Sequence, residues 1–413
     1  MALIDRHIRP LLVNALSEAR VVCLLGARQS GKTTLIQSVA ATEHPARYVS
    51  LDEPAAFEEA RADPTGFVAG GERLAIDEVQ RAPELLLAIK RVVDSDNARG
   101  QFLLTGSANI LTLPQIADAL PGRVDYMTLW PFSQVELAGN RGSFIENAFD
   151  GQTPRPADVP VGRSGYAERV LRGGFPEAVR SGEARRLRFF AGYVNSILGR
   201  EVVDLAAVRD ADATARVLRL VAARSAALTN LSAIGRELGI DHKTVANHLK
   251  ALEQLFMIVR LPAWHVNLGH RIVRSAKLHL ADTGMLCALM GADARRLESD
   301  GAIAGSVFET FVVNEIVRLA SVSELGPLLN LFHYRDQRGN EIDLVVEHAR
   351  GDVVAIEVKA SATPRREDAA ALRLLRDRLG SRFRLGLVLH LGPDSIPLGD
   401  RISAAPLASL WSD

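Results

Sequence analysis

Eight consecutive residues, Gly26-Ala27-Arg28-Gln29-Ser30-Gly31-Lys32-Thr33, have the types and spacing to hold a phosphate, and Thr34 extends the run. Glycines let backbone N–H groups wrap phosphate oxygens, Lys32 reaches the terminal ones, and the Thr33 hydroxyl ligates Mg²⁺. A plain glycine turn would leave the lysine and threonine unexplained. A second group, Asp77-Glu78, follows about 45 residues downstream at the end of an apolar run. Such a pair suits a Mg²⁺-nucleotide site: Asp77 holds the metal's water shell, and Glu78 orients and deprotonates the attacking water. A solvated strand end is the alternative. Leu104-Thr105-Gly106-Ser107 closes another apolar run, where Ser107 either senses the γ-phosphate or caps a simple turn. Arg123 is a candidate finger for phosphoryl charge, in cis or toward a neighbouring subunit, with an exposed surface arginine as the alternative.

A third group lies near the other end of the chain. Asp343 sits in one apolar run, and alternation puts Glu357 and Lys359 on one face of the next. Glu309 stands among Val307, Phe308 and Phe311 on an amphipathic helix read from Gly305 to Leu319. Charges set between Val353, Ile356 and Val358 are costly without a purpose. A solvated hairpin with a cross-strand salt bridge is the competing account.

Each group needs elements to position it. An amphipathic helix over residues 8–19 precedes the apolar strand Val21–Leu25, and the phosphate-binding run leads into a helix. Four more strands follow at Arg47–Leu51, Arg73–Ile76, Gln101–Thr105 and Val124–Leu129, alternating with helical stretches. That alternation predicts a parallel sheet covered on both faces, with ligands at the carboxyl ends of its strands.

The order of Gly26-Ala27-Arg28-Gln29-Ser30-Gly31-Lys32-Thr33-Thr34, Ser50-Leu51-Asp52, Ile76-Asp77-Glu78-Val79-Gln80-Arg81-Ala82-Pro83-Glu84-Leu85 and Leu103-Leu104-Thr105-Gly106-Ser107 resembles the prokaryotic AAA-superfamily ATPases that carry a C-terminal domain of unknown function. The resemblance spans nearly the whole chain. It implies ATP and Mg²⁺ as ligands, and a sheet in which the sensor strand lies between the phosphate-loop strand and the Asp-Glu strand. The carboxylate group further on resembles the restriction-endonuclease-like superfamily, although Ile342 stands where that superfamily carries proline. The resemblance implies Asp343 and Glu357 as metal ligands, Glu309 as an auxiliary ligand, and Lys359 as catalytic base or charge stabiliser.

Between the two ends, residues 139–165 are rich in Gly, Pro, Asn and Ser and read as a loop or linker. Residues 166–212 read as a helical lid, broken at Gly173-Gly174-Phe175-Pro176, with Arg200 and Asp204 spaced as a helix-surface pair. Over 213–265, three helices with a short turn between the last two, then a strand, predict a winged helix-turn-helix. Its third helix offers His242, Lys243, Thr244, Asn247, His248 and Lys250 to a nucleic-acid groove, with a structural connector as the alternative. The basic segment Arg260–Lys277, with Trp264, His265, His270, Arg271 and Arg274, could face a phosphate backbone or be a solvated surface.

The expected architecture is thus α/β: a P-loop ATPase domain over 1–138 with a five-stranded parallel sheet, the linker, lid and winged helix, and an α/β restriction-endonuclease-like domain over 266–413. A length of 413 residues fits several domains. With 47% hydrophobic and 24% charged residues the composition is that of a globular protein, not a disordered one. Formal net charge is zero, so contact with DNA or RNA would rest on a local patch. No apolar run approaches the roughly 20 residues that cross a bilayer. The two cysteines, Cys23 and Cys287, lie in separate apolar segments and read as reduced packing residues of a cytoplasmic protein. A homo-oligomer is expected if Arg123 serves a neighbouring subunit.

Overall fold

The structure is a computed structural model that describes residues 3–107, 122–156, 159–201, 210–266, 271 and 275–412. The side chain of Arg200, and Asp204, His270 and Arg274 entirely, lie outside the described residues. The chain divides into two units, one formed by Met1–Pro131 with Gln254–Phe256, the other by Phe132–Glu253 with Met257–Asp413.

The first unit is built on a five-stranded, all-parallel sheet. Its strands are β1 (Val21–Leu25), β2 (Arg47–Ser50), β3 (Leu74–Asp77), β4 (Phe102–Gly106) and β5 (Val124–Thr128), in the spatial order β2-β3-β4-β1-β5. β4 therefore lies between β1 and β3, as the family resemblance implies. β1, β3 and β4 are buried along their whole length, which is why they read as unbroken apolar runs rather than alternating ones. The helix Leu85–Ser95 lies after β3 and buries Leu85, Leu86, Ala88, Ile89 and Val93 at helical spacing. Phe256, although 125 positions beyond Pro131, belongs to this unit and meets Trp130 edge-on, ring centroids 5.8 Å apart.

The second unit begins with helices. Phe144–Phe149 is a helix with Phe144, Ile145, Ala148 and Phe149 buried, which corrects the reading of 139–165 as loop throughout. Its single apolar turn and a half is too short to stand out among the flanking glycines and prolines. Helices Arg163–Arg172 and Glu183–Ser196 follow, with a π-helical turn at Ile197–Glu201. Three helices, Ala211–Ala223, Leu231–Leu238 and His242–Gln254, then lead into an antiparallel pair, β6 (Ile258–Leu261) and β7 (Lys277–Leu280), with Leu261 opposite Lys277. The third helix buries Val245, His248, Leu249 and Leu252 as one stripe. His248 is therefore not a groove-facing residue: its Nδ1 lies 2.8 Å from the Thr214 hydroxyl inside the packing of that helix on the first. His242, Lys243, Asn247 and Lys250 are exposed.

The long helix Gly301–Val322 precedes a six-stranded mixed sheet of β8 (Leu329–Arg335), β9 (Glu341–His348), β10 (Val353–Lys359), β11 (Phe383–His390), β12 (Ile396–Gly399) and β13 (Ile402–Pro406), ordered β12-β13-β11-β10-β9-β8. β8, β9 and β10 form an antiparallel meander, and β10 pairs in parallel with β11 after the crossover helix Ala370–Leu379. That helix packs Leu372, Leu375 and Leu379 into a core with Ile342, Val345, Val353, Ala355, Val388 and Trp264. Among the described residues of the Arg260–Lys277 segment, Arg260 is exposed and pairs with Glu253, while Trp264, Arg271 and Lys277 are turned inward rather than toward a phosphate backbone. Trp264 is buried, Arg271 pairs with Glu347 at 2.5 Å, and Lys277 is buried among carboxylates.

A buried ionic hub organises the start of this unit. Arg318, on the long helix, donates to Glu315 Oε1 at 2.8 Å, to the Phe132 carbonyl at 3.0 Å and to the Ala281 carbonyl at 3.2 Å, and lies 3.6 Å from Asp282. Glu315 and Asp282 have no exposed side-chain surface. Burial pushes both carboxyls up, and Arg318 opposes that shift. Glu315 also accepts the Gln134 N–H at 2.7 Å, and Asp282 those of Gly174 and Met285. Both cysteines are buried and free, and burial pushes their thiols up. Among the described residues no helix is long and apolar enough to cross a membrane.

Candidate functional site

The carboxyl ends of β1, β3 and β4 bring the phosphate-binding run, Asp77, Glu78 and Ser107 to one rim of the sheet. The loop between β1 and the helix Lys32–Ala41 needs unusual backbone: Gly31 caps that helix at φ 101°, and Gln29 is left-handed at φ 59°. A Cβ on Gly26 would lie 2.3 Å from the Leu129 carbonyl oxygen, so only glycine lets the loop pass β5's end. Arg6, from the N-terminal segment, donates to the Ser30 carbonyl at 3.0 Å and braces the loop from outside.

Inside the loop, Lys32 is 3% exposed, and its ammonium donates to the Gly26 and Ala27 carbonyls, each at 3.0 Å. Ser30 is fully buried, and its Oγ has no hydrogen-bond partner among the described residues. A buried cation beside an unsatisfied hydroxyl at a helix N-terminus fits a phosphate group. Ala27 is buried, whereas Arg28 and Thr34 are exposed to different degrees at the loop's ends.

Asp77 is the hub. Its Oδ2 accepts from Thr33 Oγ1 at 2.7 Å and from the Tyr48 hydroxyl at 3.1 Å, while its Oδ1 accepts from the Thr105 hydroxyl. Burial, then the Asp77 charge, push the Tyr48 phenol up to about 12, so it remains a donor. Thr33 and Asp77 stand close enough to flank one Mg²⁺ ion, and their hydroxyl and carboxylate oxygens are the hard donors that ion takes. Thr105 also accepts the Glu78 N–H at 3.1 Å, so one hydroxyl orders both acids. Glu78 itself is left-handed, at φ 60°, a conformation that costs a non-glycine residue about 1 kcal/mol. Its carboxylate accepts from the Gln80 amide, which donates in turn to Ser107 Oγ at 2.9 Å. Tyr48 and Gln80 were not singled out from the sequence. Tyr48 follows an arginine on an edge strand, and nothing in that pattern marks a hydroxyl aimed at Asp77.

Arg123 is corrected as a finger in cis. It precedes β5, whose Val124 lies beside Val21 and whose Thr128 lies beside Leu25. Arg123 is therefore at the amino end of the sheet, four strand steps or about 13 Å from the rim that carries Lys32. There it makes a bidentate ion pair with Asp94, at 2.5 and 3.0 Å.

The second group of acids also converges, though in a form the sequence did not suggest. Lys277 Nζ lies 2.6 Å from Glu341, 2.8 Å from Glu309 and 3.4 Å from Asp343. Asp343 Oδ2 accepts the Val358 N–H at 2.9 Å, and Lys359 donates to Glu357 Oε1 at 2.7 Å. Burial, then the neighbouring Asp343, push Glu309 up to about 9 and Glu357 up to about 8. Among the described residues no group of three or more His, Cys, Asp or Glu side chains is assembled to hold a metal ion. Lys277 and Glu341 escaped the sequence reading because Lys277 falls in a segment taken as basic surface, and Glu341 opens a strand beside a turn.

A family model described as an AAA domain matches residues 18–138, and two described as domains of unknown function, DUF8612 and DUF4143, match residues 163–296 and 304–410. The chain is similar to uncharacterized proteins of Mycobacterium tuberculosis and Mycobacterium bovis, each 30% identical over 399 residues, 96% of this chain and 82% of the relative. Among solved structures, the Walker-type ATPase of Pyrococcus abyssi is 18% identical over 70% of this chain and 96% of its own, with a TM-score of 0.44. AMPPCP-bound DnaA from Aquifex aeolicus is 16% identical over 60% of this chain and 86% of its own, with a TM-score of 0.29.

Proposed function

We propose that this chain, which belongs to the same family of AAA-domain proteins as its mycobacterial relatives, binds ATP and hydrolyses it at the rim of the five-stranded sheet. The observation that carries this reading is the convergence on Asp77 of the Thr33, Tyr48 and Thr105 hydroxyls, beside a loop that buries Lys32. Backbone N–H groups of residues 26–33 would take the phosphates, and the Lys32 ammonium would exchange its two carbonyl partners for phosphate oxygens. Mg²⁺, held by Thr33 and Asp77, would neutralise charge on the β- and γ-phosphates. Glu78 would orient a water and accept its proton. The water oxygen then bonds to the γ-phosphorus as the bond to the bridging oxygen breaks, releasing ADP and inorganic phosphate. Ser107, tied to Glu78 through Gln80, would report the γ-phosphate to that base.

Two variants test this. Lys32→Ala should abolish binding of a fluorescent ATP analogue. Glu78→Gln should bind it normally and release no phosphate, and normal turnover by Glu78→Gln would remove the assignment of the base.

For the second unit we infer the finer folds that the sequence suggests. Three helices followed by the strand β6 support a winged helix over 213–265, after a helical lid at 166–212. A long helix, an antiparallel meander and a parallel strand after a crossover helix support a restriction-endonuclease-like fold over 266–413. The exposed His242, Lys243, Asn247 and Lys250 support a nucleic-acid partner for the winged helix. Phosphate release measured with single-stranded DNA, double-stranded DNA and RNA tests it: stimulation that is lost in Lys243→Ala/Lys250→Ala supports the reading, and no response to any of them overturns it.

A further inference from the structure

The resemblance of Asp343, Glu357, Glu309 and Lys359 to nuclease residues implies a divalent ion among the acids, and the donor set does not fit one. Mg²⁺ takes six oxygens in near-octahedral geometry. Here Asp343 spends Oδ2 on the Val358 N–H and turns Oδ1 toward Lys277, Glu309 Oε1 faces Lys277, and Glu357 Oε1 holds Lys359. Glu357 Oε2 is the one oxygen of Asp343 and Glu357 left buried without a partner. Lys277, by contrast, has what a bound cation needs. Its side chain is 2% exposed, and three carboxylates from two separate elements, the long helix and β9, close on its nitrogen at 2.6 to 3.4 Å.

We propose that the Lys277 ammonium is the resident cation of this cluster and stands in for a divalent ion, so that Glu309, Glu341 and Asp343 bind no metal while Lys277 is present. An ammonium carried on the chain is always there and cannot be removed by a chelator. It is anchored on β7, outside the six-stranded sheet, so it also fastens the β6–β7 pair to the acids of that sheet. Three carboxylates within reach of one point repel each other, and an excised lysine would leave them to be satisfied by a cation from solution. The inference stands apart from the ATP site, and its test needs no nucleotide.

The experiment is Mn²⁺ binding to the full chain without nucleotide, followed by the loss of the free-ion electron paramagnetic signal. Any Mn²⁺ held near Thr33 and Asp77 is common to every variant and cancels. Wild type and Asp343→Asn should bind the same number of Mn²⁺ ions. Lys277→Met should bind one more, and Lys277→Met/Asp343→Asn should lose it again. A wild type that binds one ion more than Asp343→Asn overturns the proposal, as does a folded Lys277→Met that gains none. If Lys277→Met does not fold, wild type against Asp343→Asn still decides, together with the wild-type melting temperature, which should not move on adding a chelator.

Discussion

Replacing Arg318 by methionine should destabilise the second unit by about 3 kcal/mol at pH 8. Methionine keeps most of the buried aliphatic volume, so the loss is chiefly electrostatic. Arg318 faces two carboxylates, Glu315 and Asp282, with no exposed side-chain surface, and it also satisfies the Phe132 and Ala281 carbonyls. Removing one partner of a buried pair costs roughly 3–5 kcal/mol because the other is left charged in a dry site. Backbone donors soften that: Glu315 keeps the Gln134 N–H, and Asp282 keeps those of Gly174 and Met285, which places the figure at the lower end. The sign with pH follows. Burial already raises both carboxyls, and without Arg318 their folded pKa values rise further above the unfolded ones. The folded variant then holds protons the unfolded chain has released, so its stability falls as pH rises and the deficit narrows toward pH 5. Urea unfolding in a Trp130→Phe background reads this unit alone, since Trp264 and Trp411 both lie in it. A loss below about 1 kcal/mol, or one equal at pH 5 and pH 8, would refute the view that Arg318 neutralises buried charge.

Thr105→Val keeps the shape of the β4 strand end and deletes the hydroxyl that both Asp77 and the Glu78 N–H use. Phosphate release should fall about 10- to 100-fold with analogue binding within about threefold, and the unit should lose about 1–3 kcal/mol for the unsatisfied groups; unchanged turnover would dismiss Thr105 as an organiser of the two acids. His279, fully buried, is pushed down to about 3, by burial first and then by Lys277 and His333. It stays neutral in the folded state while the unfolded chain takes up a proton below about pH 6.5, so stability should rise with pH across that window, and going from pH 6.5 to 5.5 should cost about 1 kcal/mol more in wild type than in His279→Gln. Equal pH slopes in the two proteins would count against it.

What could be read from the chain alone was what is local in sequence. The phosphate loop and Asp77-Glu78 are contiguous residues whose spacing is set by backbone chemistry, and fully buried strands show as apolar runs. The β4 position between β1 and β3 followed from resemblance, not from any signal in the strands. Only the reading of Arg123 as a finger in cis fails: its place before β5, legible in the sequence, puts it at the amino rim, away from the phosphate-binding run. His248 could have been found out by its own helix, since Val245, Leu249 and Leu252 share its stripe. Lys277 could not. Its three carboxylates come from sequence positions 32 to 66 residues away, and no periodicity records a contact of that kind.

The short return of the chain at Gln254–Phe256 bears on how this protein is made. The first unit is complete in sequence at Pro131 except for Gln254–Phe256, and the Phe256 ring that meets Trp130 edge-on is 125 residues further on. At roughly 5–20 residues per second, a ribosome needs about 6 to 25 s to supply it. During that interval the nascent first unit lacks the edge-on contact that Phe256 makes with Trp130. A fragment cut at residue 131 would lack that contact permanently, even with its phosphate loop intact.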